Sequence, residues 1–372
     1  MSVGTADTSL APNSAAAEVP GEYLSPTSTG FQITTTNANF NTSGASYIYM
    51  AIRRGPMRVP TTGTSVFTPL AVTNTTGTTN TTGFPVDLQM QFYRPGGLGF
   101  STSQWIDGLR GISSTSSVGG VKLFPSVTDA ETTGAIGTSF SNTGFNTGSG
   151  WNNAPMSYQN FRRAPGYFDE VCYNGNGDEQ FVKHNLTVPP ELMIVKRRNS
   201  TADWYVYSAS TTSIRYLVLN TTAASVSDFL IWAAVTPTSA DFTVYQPGIG
   251  EIYDVNKTGG TYVAYLFATC PGVSKVGSFT GTGAPQVINC GFTGGARFVL
   301  IKATSTTGDW YVWDSARGIV AGNDPYLELN TADAEVTTTD WVDTAATGFE
   351  LSNAGGNLAN SNGVSYIFLA IA

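Results

Sequence analysis

The chain has 372 residues, of which 12% are charged and 12% aromatic, and a formal net charge of -8 from 26 acidic and 18 basic side chains. Charge this sparse, about half of what ordinary globular domains carry, together with 41 glycines and no long Leu/Glu/Lys/Ala-rich runs, argues against a helical protein and against the profile of a cytosolic enzyme. The basic residues form only short clusters, Arg53-Arg54, Arg162-Arg163 and Lys196-Arg197-Arg198, which suit strand ends and not the neutralisation of nucleic-acid phosphates.

Taken in order, residues 1–56 read as a partial unit, because Thr29-Gly30-Phe31-Gln32-Ile33 and Ser46-Tyr47-Ile48-Tyr49-Met50 match the closing elements of everything that follows. No run long enough for a membrane helix occurs, and no basic-then-apolar leader opens the chain. Three full units follow, at 57–165, 166–272 and 273–372. Each is predicted to open with a strand, over 66–70, 166–173 and 276–280. A second strand follows over 88–93, 192–196 and 298–302 and feeds a third that carries a tryptophan. The copies of that third run are Gln104-Trp105-Ile106-Asp107, Asp203-Trp204-Tyr205-Val206 and Asp309-Trp310-Tyr311-Val312-Trp313-Asp314. The cleaner alternation of 88–93 predicts that the first unit turns one sheet face to solvent. One short helical turn is expected at 223–226 and at 331–335, and the apolar run 229–235 reads as an inserted strand or a contact patch.

Each unit ends on a Gly-Phe strand, 144–147, 241–244 and 348–351, and a closing strand marked by tyrosine. Tyr47, Tyr158, Tyr262 and Tyr366 recur at a period of about 105 residues, the signature of a repeat architecture. Prolines at Arg54-Gly55-Pro56, Ala164-Pro165-Gly166 and Cys270-Pro271-Gly272 end the strand and cross into the next unit. Short strands of alternating aromatics joined by Gly/Asn/Ser turns predict an all-β chain of tandem antiparallel β-sandwich repeats, of jelly-roll or concanavalin-like form, with the units end to end. Trp105, Trp204, Trp310, Tyr47, Tyr158, Tyr262 and Tyr366 are the expected packing anchors.

The order Val-Leu-Ile-Lys, Asp-Trp-Tyr-Val-Trp-Asp-Ser-Ala-Arg-Gly, Leu-Glu-Leu-Asn-Thr-Ala-Asp-Ala-Glu, Thr-Gly-Phe-Glu-Leu, Val-Ser-Tyr-Ile-Phe-Leu-Ala, which fills 298–372, resembles a repeated concanavalin-like β-sandwich domain of tailed-bacteriophage virion proteins. Residues 188–268 match it fairly and 84–161 more weakly. The resemblance implies a virion structural protein, a tail-fibre or spike component contacting the host surface, assembled in the host cytoplasm as a homo-oligomer, with a trimer as the candidate form, beside other virion proteins. The alternative is a capsid-decorating or tail-joining protein without adhesion; a glycan-degrading tail enzyme is the remote one.

The sharpest binding hypothesis is a surface glycan met by Trp313, Asp314, Arg317 and Arg110, since an indole stacks on a sugar face and charged groups bond its hydroxyls. Against it stands the plainer reading, in which the tryptophans are core and each arginine pairs with a local carboxylate. The second unit has Ser210 and lacks the arginine, so any ligand site is not shared by all units. His184 is the single histidine, which leaves no zinc set, and Asp169, Glu170, Asp178 and Glu179 lack calcium-loop spacing; no metal, cofactor or catalytic residue is assigned, and no enzyme is expected. Cys172, Cys270 and Cys290 are too few for a disulfide scaffold; a Cys172–Cys270 bond is weighed, and buried free thiols are favoured.

Overall fold

The computed structural model describes residues 7–9, 11–12, 14–17, 19–21, 23–26, 31–33, 35–51, 58–96, 103–111, 120–134, 137–148, 153–245, 254–352 and 356–372. Strands dominate these residues; helix is confined to Ala38–Asn41 and a single 3-10 turn, Gly63–Ser65. The all-β, antiparallel class expected from the alternating pattern therefore holds. Neither 223–226 nor 331–335 is helical, because each is pinned as a connection: Ser225 donates its N–H to the Thr304 carbonyl and Glu335 to that of Arg94. The prolyl exit at Arg54-Gly55-Pro56, with Arg53, lies outside the described residues.

Among the described residues three larger sheets share one strand order. The first runs Phe67–Thr73, Pro155–Phe161, Leu88–Tyr93, Ser103–Asp107. The second begins Phe168–Asn174, Thr261–Phe267, Leu192–Arg197, Trp204–Ser208, and the third Ser274–Thr280, Ser365–Ile371, Phe298–Ala303, Trp310–Asp314. A smaller sheet covers the outer face of each, built on Gly144–Thr147, Asp241–Val244 and Gly348–Leu351. Tight turns link the units: Gly166 and Gly272 hold φ of 74° and 72°, the left-handed region that glycine enters without a Cβ clash, and each follows a proline whose φ suits the turn's first corner.

The inner faces of the three large sheets meet in one core. Leu88 and Met90 of the first, Leu192, Ile194, Trp204 and Val206 of the second, and Phe298, Leu300, Trp310 and Val312 of the third belong to a single buried cluster, with Trp105 edge-on to Trp204 at 5.3 Å. Backbone bonds join the units in sequence and then close the circuit: Glu131 N–H to Arg198 O, Ser225 N–H to Thr304 O, and Glu335 N–H to Arg94 O. The units therefore form a closed ring and are not strung end to end. Alternation put apolar residues on both faces of each large sheet, and only a ring buries the second face of all three.

Register corrects two of the anchors. Leu88, Leu192 and Phe298 are partnered by Asp107, Ser208 and Asp314 respectively, so Trp105 stands level with Val206 and Val312, two residues along from Trp204 and Trp310. In the closing strands Phe161, Phe267 and Ile371 are equivalent, which puts Met156, not Tyr158, level with Tyr262 and Tyr366. A two-residue slip keeps the side chain on the same face. Trp105, Trp204, Trp310, Tyr158, Tyr262 and Tyr366 are accordingly all buried.

Tyr47 is not an anchor of this kind. Residues 46–50 belong to no strand. Tyr47 is tied to the short helix through Thr42 N–H and the Ala38 carbonyl, and Ile48, Tyr49 and Met50 are exposed. The solvent-facing sheet expected of the first unit is also absent: Gln89 and Gln91 are fully buried. Their amides satisfy one another and their neighbours, Gln89 Nε2 donating to Asn160 Oδ1 at 2.6 Å and Gln91 Nε2 to Thr138 Oγ1 at 2.8 Å, which removes the penalty for burying them. The run 229–235 is a chain of turns that inserts Ile231 and Trp232 into the outer core of the second unit.

Candidate functional site

Each large sheet ends its tryptophan strand at a junction with a neighbouring unit, and the side chains there follow from register. At the junction of the first and second units, Asp107 accepts the backbone N–H of Arg110 at 2.8 Å and its Nε at 2.5 Å, while Arg110 also reaches Glu131 at 3.3 Å and the Trp105 carbonyl at 3.0 Å. Glu131 in turn holds Arg198 of the second unit at 2.7 Å. At the junction of the third and first units the same set recurs. Arg317 Nε donates to Asp314 at 2.6 Å, Arg317 reaches Glu335 at 3.1 Å, and Glu335 holds Arg94 at 2.8 Å.

These bonds decide the glycan hypothesis for Arg110, Arg317, Asp314 and Trp313. Both Arg–Asp pairs have side-chain exposure of 0% on either partner, and Trp313 is fully buried in the outer core of the third unit. None of the four reaches solvent, so none contacts a surface sugar. The physical reason is donor accounting: a guanidinium donates from three nitrogens in a fixed fork, and local carboxylates and a carbonyl engage all three in each arginine. Burial disfavours the Arg110 charge, yet Asp107, Tyr265 and Glu131 together hold its pKa above the ordinary arginine value. The plainer reading, arginine paired to a local carboxylate, is the one the geometry displays. The neighbouring unit adds a further donor to each aspartate, Tyr265 Oη at 2.7 Å from Asp107 and Gln159 Nε2 at 2.7 Å from Asp314.

The third junction, between the second and third units, is built differently. Ser208 stands level with Asp107 and Asp314, and Thr211, three residues on, takes the position of Arg110 and Arg317. Ser225 and Thr304 make the backbone bond that elsewhere joins Glu131 to Arg198 and Glu335 to Arg94. Four charged residues are thus replaced by four hydroxyls. Beside them opens a groove of about 330 Å³, bordered by Ser210, Thr211, Ser278, Thr280, Thr304 and Ser365. Phe279 lines it too, its ring stacked on Tyr366 at 5.0 Å and 13°. Tyr366 is locked from behind, its hydroxyl accepting the Ser361 N–H at 3.0 Å and donating to the Leu358 carbonyl at 2.8 Å.

Hydroxyls donate and accept alike, while Phe279 and Tyr366 pack into the outer core behind the strand. Such a lining suits a neutral, hydroxyl-bearing ligand and gives an ionic one no counter-charge. The groove escaped sequence reasoning because it depends on which unit meets which. The signal was nonetheless present in Ser210, where the sibling units carry a buried arginine nearby.

The remaining chemistry-bearing residues are structural. His184 is held by the Thr238 carbonyl and the Leu186 N–H, and burial lowers its pKa from the usual value, which favours the neutral ring. Asp169 is occupied by Arg163 and the Asn185 N–H, and does not converge with Asp178 and Glu179. Cys172, Cys270 and Cys290 are free thiols, and burial pushes Cys172 up to about 12, far from a reactive thiolate. Among the described residues the carboxylates that do converge are Asp324, Asp340 and Asp343.

A comparison with curated proteins finds no match. The model of DUF7483, a domain of unknown function, matches residues 162–372, more than half of the chain and all of its second and third units, and the chain belongs to that family.

Proposed function

We propose that the chain is a non-catalytic structural protein of a bacteriophage virion, of tail-fibre or spike type, and that the groove between its second and third units holds a neutral saccharide of the host surface. The observation that carries the adhesive part is the replacement, at one junction of three, of a buried charge cluster by hydroxyls beside a groove of about 330 Å³. Packing alone gives no reason for that change, since the ring closes at the other two junctions with the ion pairs in place. The virion part rests on the resemblance of 298–372 to tail-associated β-sandwich domains. A ring of short strands around one core also suits a rigid particle component.

A second reading, a capsid-decorating or tail-joining role, draws on the exposed run of Ile48, Tyr49 and Met50. Apolar side chains in a row at the surface mark a contact with another chain, whether a copy of this one or a different virion protein. The two readings separate on a glycan array probed with the intact chain. The adhesive reading expects retention on neutral glycans, abolished by Thr280→Trp, which fills the groove from an exposed position and leaves the melting temperature unchanged. A folded chain that binds no glycan overturns adhesion and leaves the scaffold role.

A further inference from the structure

The loop 318–324 of the third unit folds back on residues 339–343, where the chain enters the strand Val342–Ala345. Two contacts hold it there: Asp324 donates its N–H to the Thr339 carbonyl at 2.7 Å, and Asp343 Oδ1 accepts the Gly322 N–H at 3.3 Å. This closure brings Asp324, Asp340 and Asp343 together, with one oxygen from each lying within 4.8 Å of the others. We propose that these three aspartates bind a hard divalent cation of the calcium class.

Distance is the first argument. Calcium–oxygen bonds run about 2.3–2.6 Å, so oxygens that share one ion sit no more than about 5 Å apart, which is the separation found. The second is independent of the clustering. Asp324 is fully buried, and its Oδ1 is spoken for by the N–H groups of Ile319 and Val320 at 2.9 and 2.8 Å. That clamp orients the carboxylate and leaves Oδ2, also buried, with no donor in the protein. Asp340 Oδ1 is in the same condition. A buried anionic oxygen without a donor is strongly disfavoured unless a charge compensates it, and among the described residues no lysine or arginine pairs with any of the three.

Ligand chemistry selects the ion. The set is all oxygen, without histidine or cysteine, which suits calcium, magnesium or manganese and not zinc or copper. Three protein carboxylates on a loop and a strand end, two of them half-buried and open to water, fit the larger and more adaptable coordination of calcium.

The test uses the full chain after chelation and terbium as a luminescent stand-in for calcium. Trp341 lies between two of the ligands in sequence and is nearly buried against Tyr326, so excitation of tryptophan is expected to give saturable terbium emission at one equivalent, displaced by calcium. Asp343→Asn and Asp340→Asn, both isosteric, are expected to weaken calcium binding at least about tenfold each, with circular dichroism unchanged. Trp341→Phe is expected to remove most of the emission while calorimetry still reports calcium binding. The proposal is overturned if the wild-type chain shows no saturable binding at millimolar calcium, if both asparagine variants bind as tightly as wild type, or if magnesium displaces terbium at lower concentration than calcium.

Discussion

Arg94 and Glu335, 241 positions apart in the chain, meet at 2.8 Å, and their contact ties the third unit back to the first. Glu335 has a side-chain exposure of 5% and also holds Arg317, which is fully buried. Removing Glu335 leaves Arg317 with one carboxylate in place of two, whereas removing Arg94, itself 31% exposed, leaves Glu335 still paired with Arg317. Glu335→Ala is therefore expected to cost about 3 kcal/mol, in the range for breaking a buried pair, and Arg94→Ala about 1 kcal/mol. Urea denaturation of both single variants and the double variant checks this; equal losses would mean that the ring is not closed through Glu335.

Glu328 gives a pH signature. Burial, with a contribution from Asp309, raises its pKa to about 7, above its value of 4.5 in an unfolded chain. A carboxyl that binds its proton more tightly when folded adds stability at low pH and loses it as pH rises through the folded value. Relative to Glu328→Gln, the wild-type chain is thus expected to lose melting temperature between about pH 5 and 8. A difference that stays flat across that range would show Glu328 to be fully solvated.

Two buried lysines report in the opposite direction. Lys196 donates to the carbonyls of Thr128 and Ala202 and lies 5.8 Å from the Trp204 ring; Lys302 repeats the arrangement with Thr222, Gly308 and Trp310. Burial lowers both to about 8, so above that pH the unfolded chain holds more protons and stability gains with pH. The stability of wild type relative to Lys302→Met is expected to rise between about pH 8 and 10, as read from chemical denaturation at fixed ionic strength.

The Gly-Phe pairs have a steric basis that substitution can expose. A Cβ on Gly348 would stand 2.0 Å from the Ile288 carbonyl oxygen, and one on Gly144 the same 2.0 Å from that of Asn80. Both contacts are to backbone, which cannot rotate away. Gly348→Ala is expected to destabilise the chain by about 1–3 kcal/mol, with the loss measured by thermal melting. An unchanged melting temperature would mean that the small sheet shifts freely.

Strand identity was legible in the sequence because alternation of large and small residues is a local property. Burial of Trp204, Trp310, Tyr262 and Tyr366 followed from their recurrence. What stayed hidden depended on partners. Trp105 and Tyr158 are displaced by two residues from their expected level, a slip that leaves the face unchanged and so leaves no trace in the pattern. Gln89 and Gln91 looked solvent-facing because their rescue comes from Thr138 and Asn160, distant in the chain. The arginines at 110 and 317 were correctly paired with nearby carboxylates, but the second carboxylate, Glu131 or Glu335, belonged to a junction that only the ring creates. The hydroxyl groove is the same kind of feature, visible once Ser208, Thr211, Ser225 and Thr304 are seen to occupy one place.

That substitution has a consequence for stoichiometry. In a trimer of identical chains, any change at a junction is copied three times around the axis, so a junction cannot give up its ion pairs without every junction losing them. Three units on one chain escape this constraint, and here two junctions keep the charge clusters that fasten the ring while the third is released to diverge. The result, among the described residues, is a hydroxyl-lined junction on one side of the ring alone. If the proposed saccharide site is used, avidity would have to come from the number of chains displayed side by side, with a strength set by their spacing.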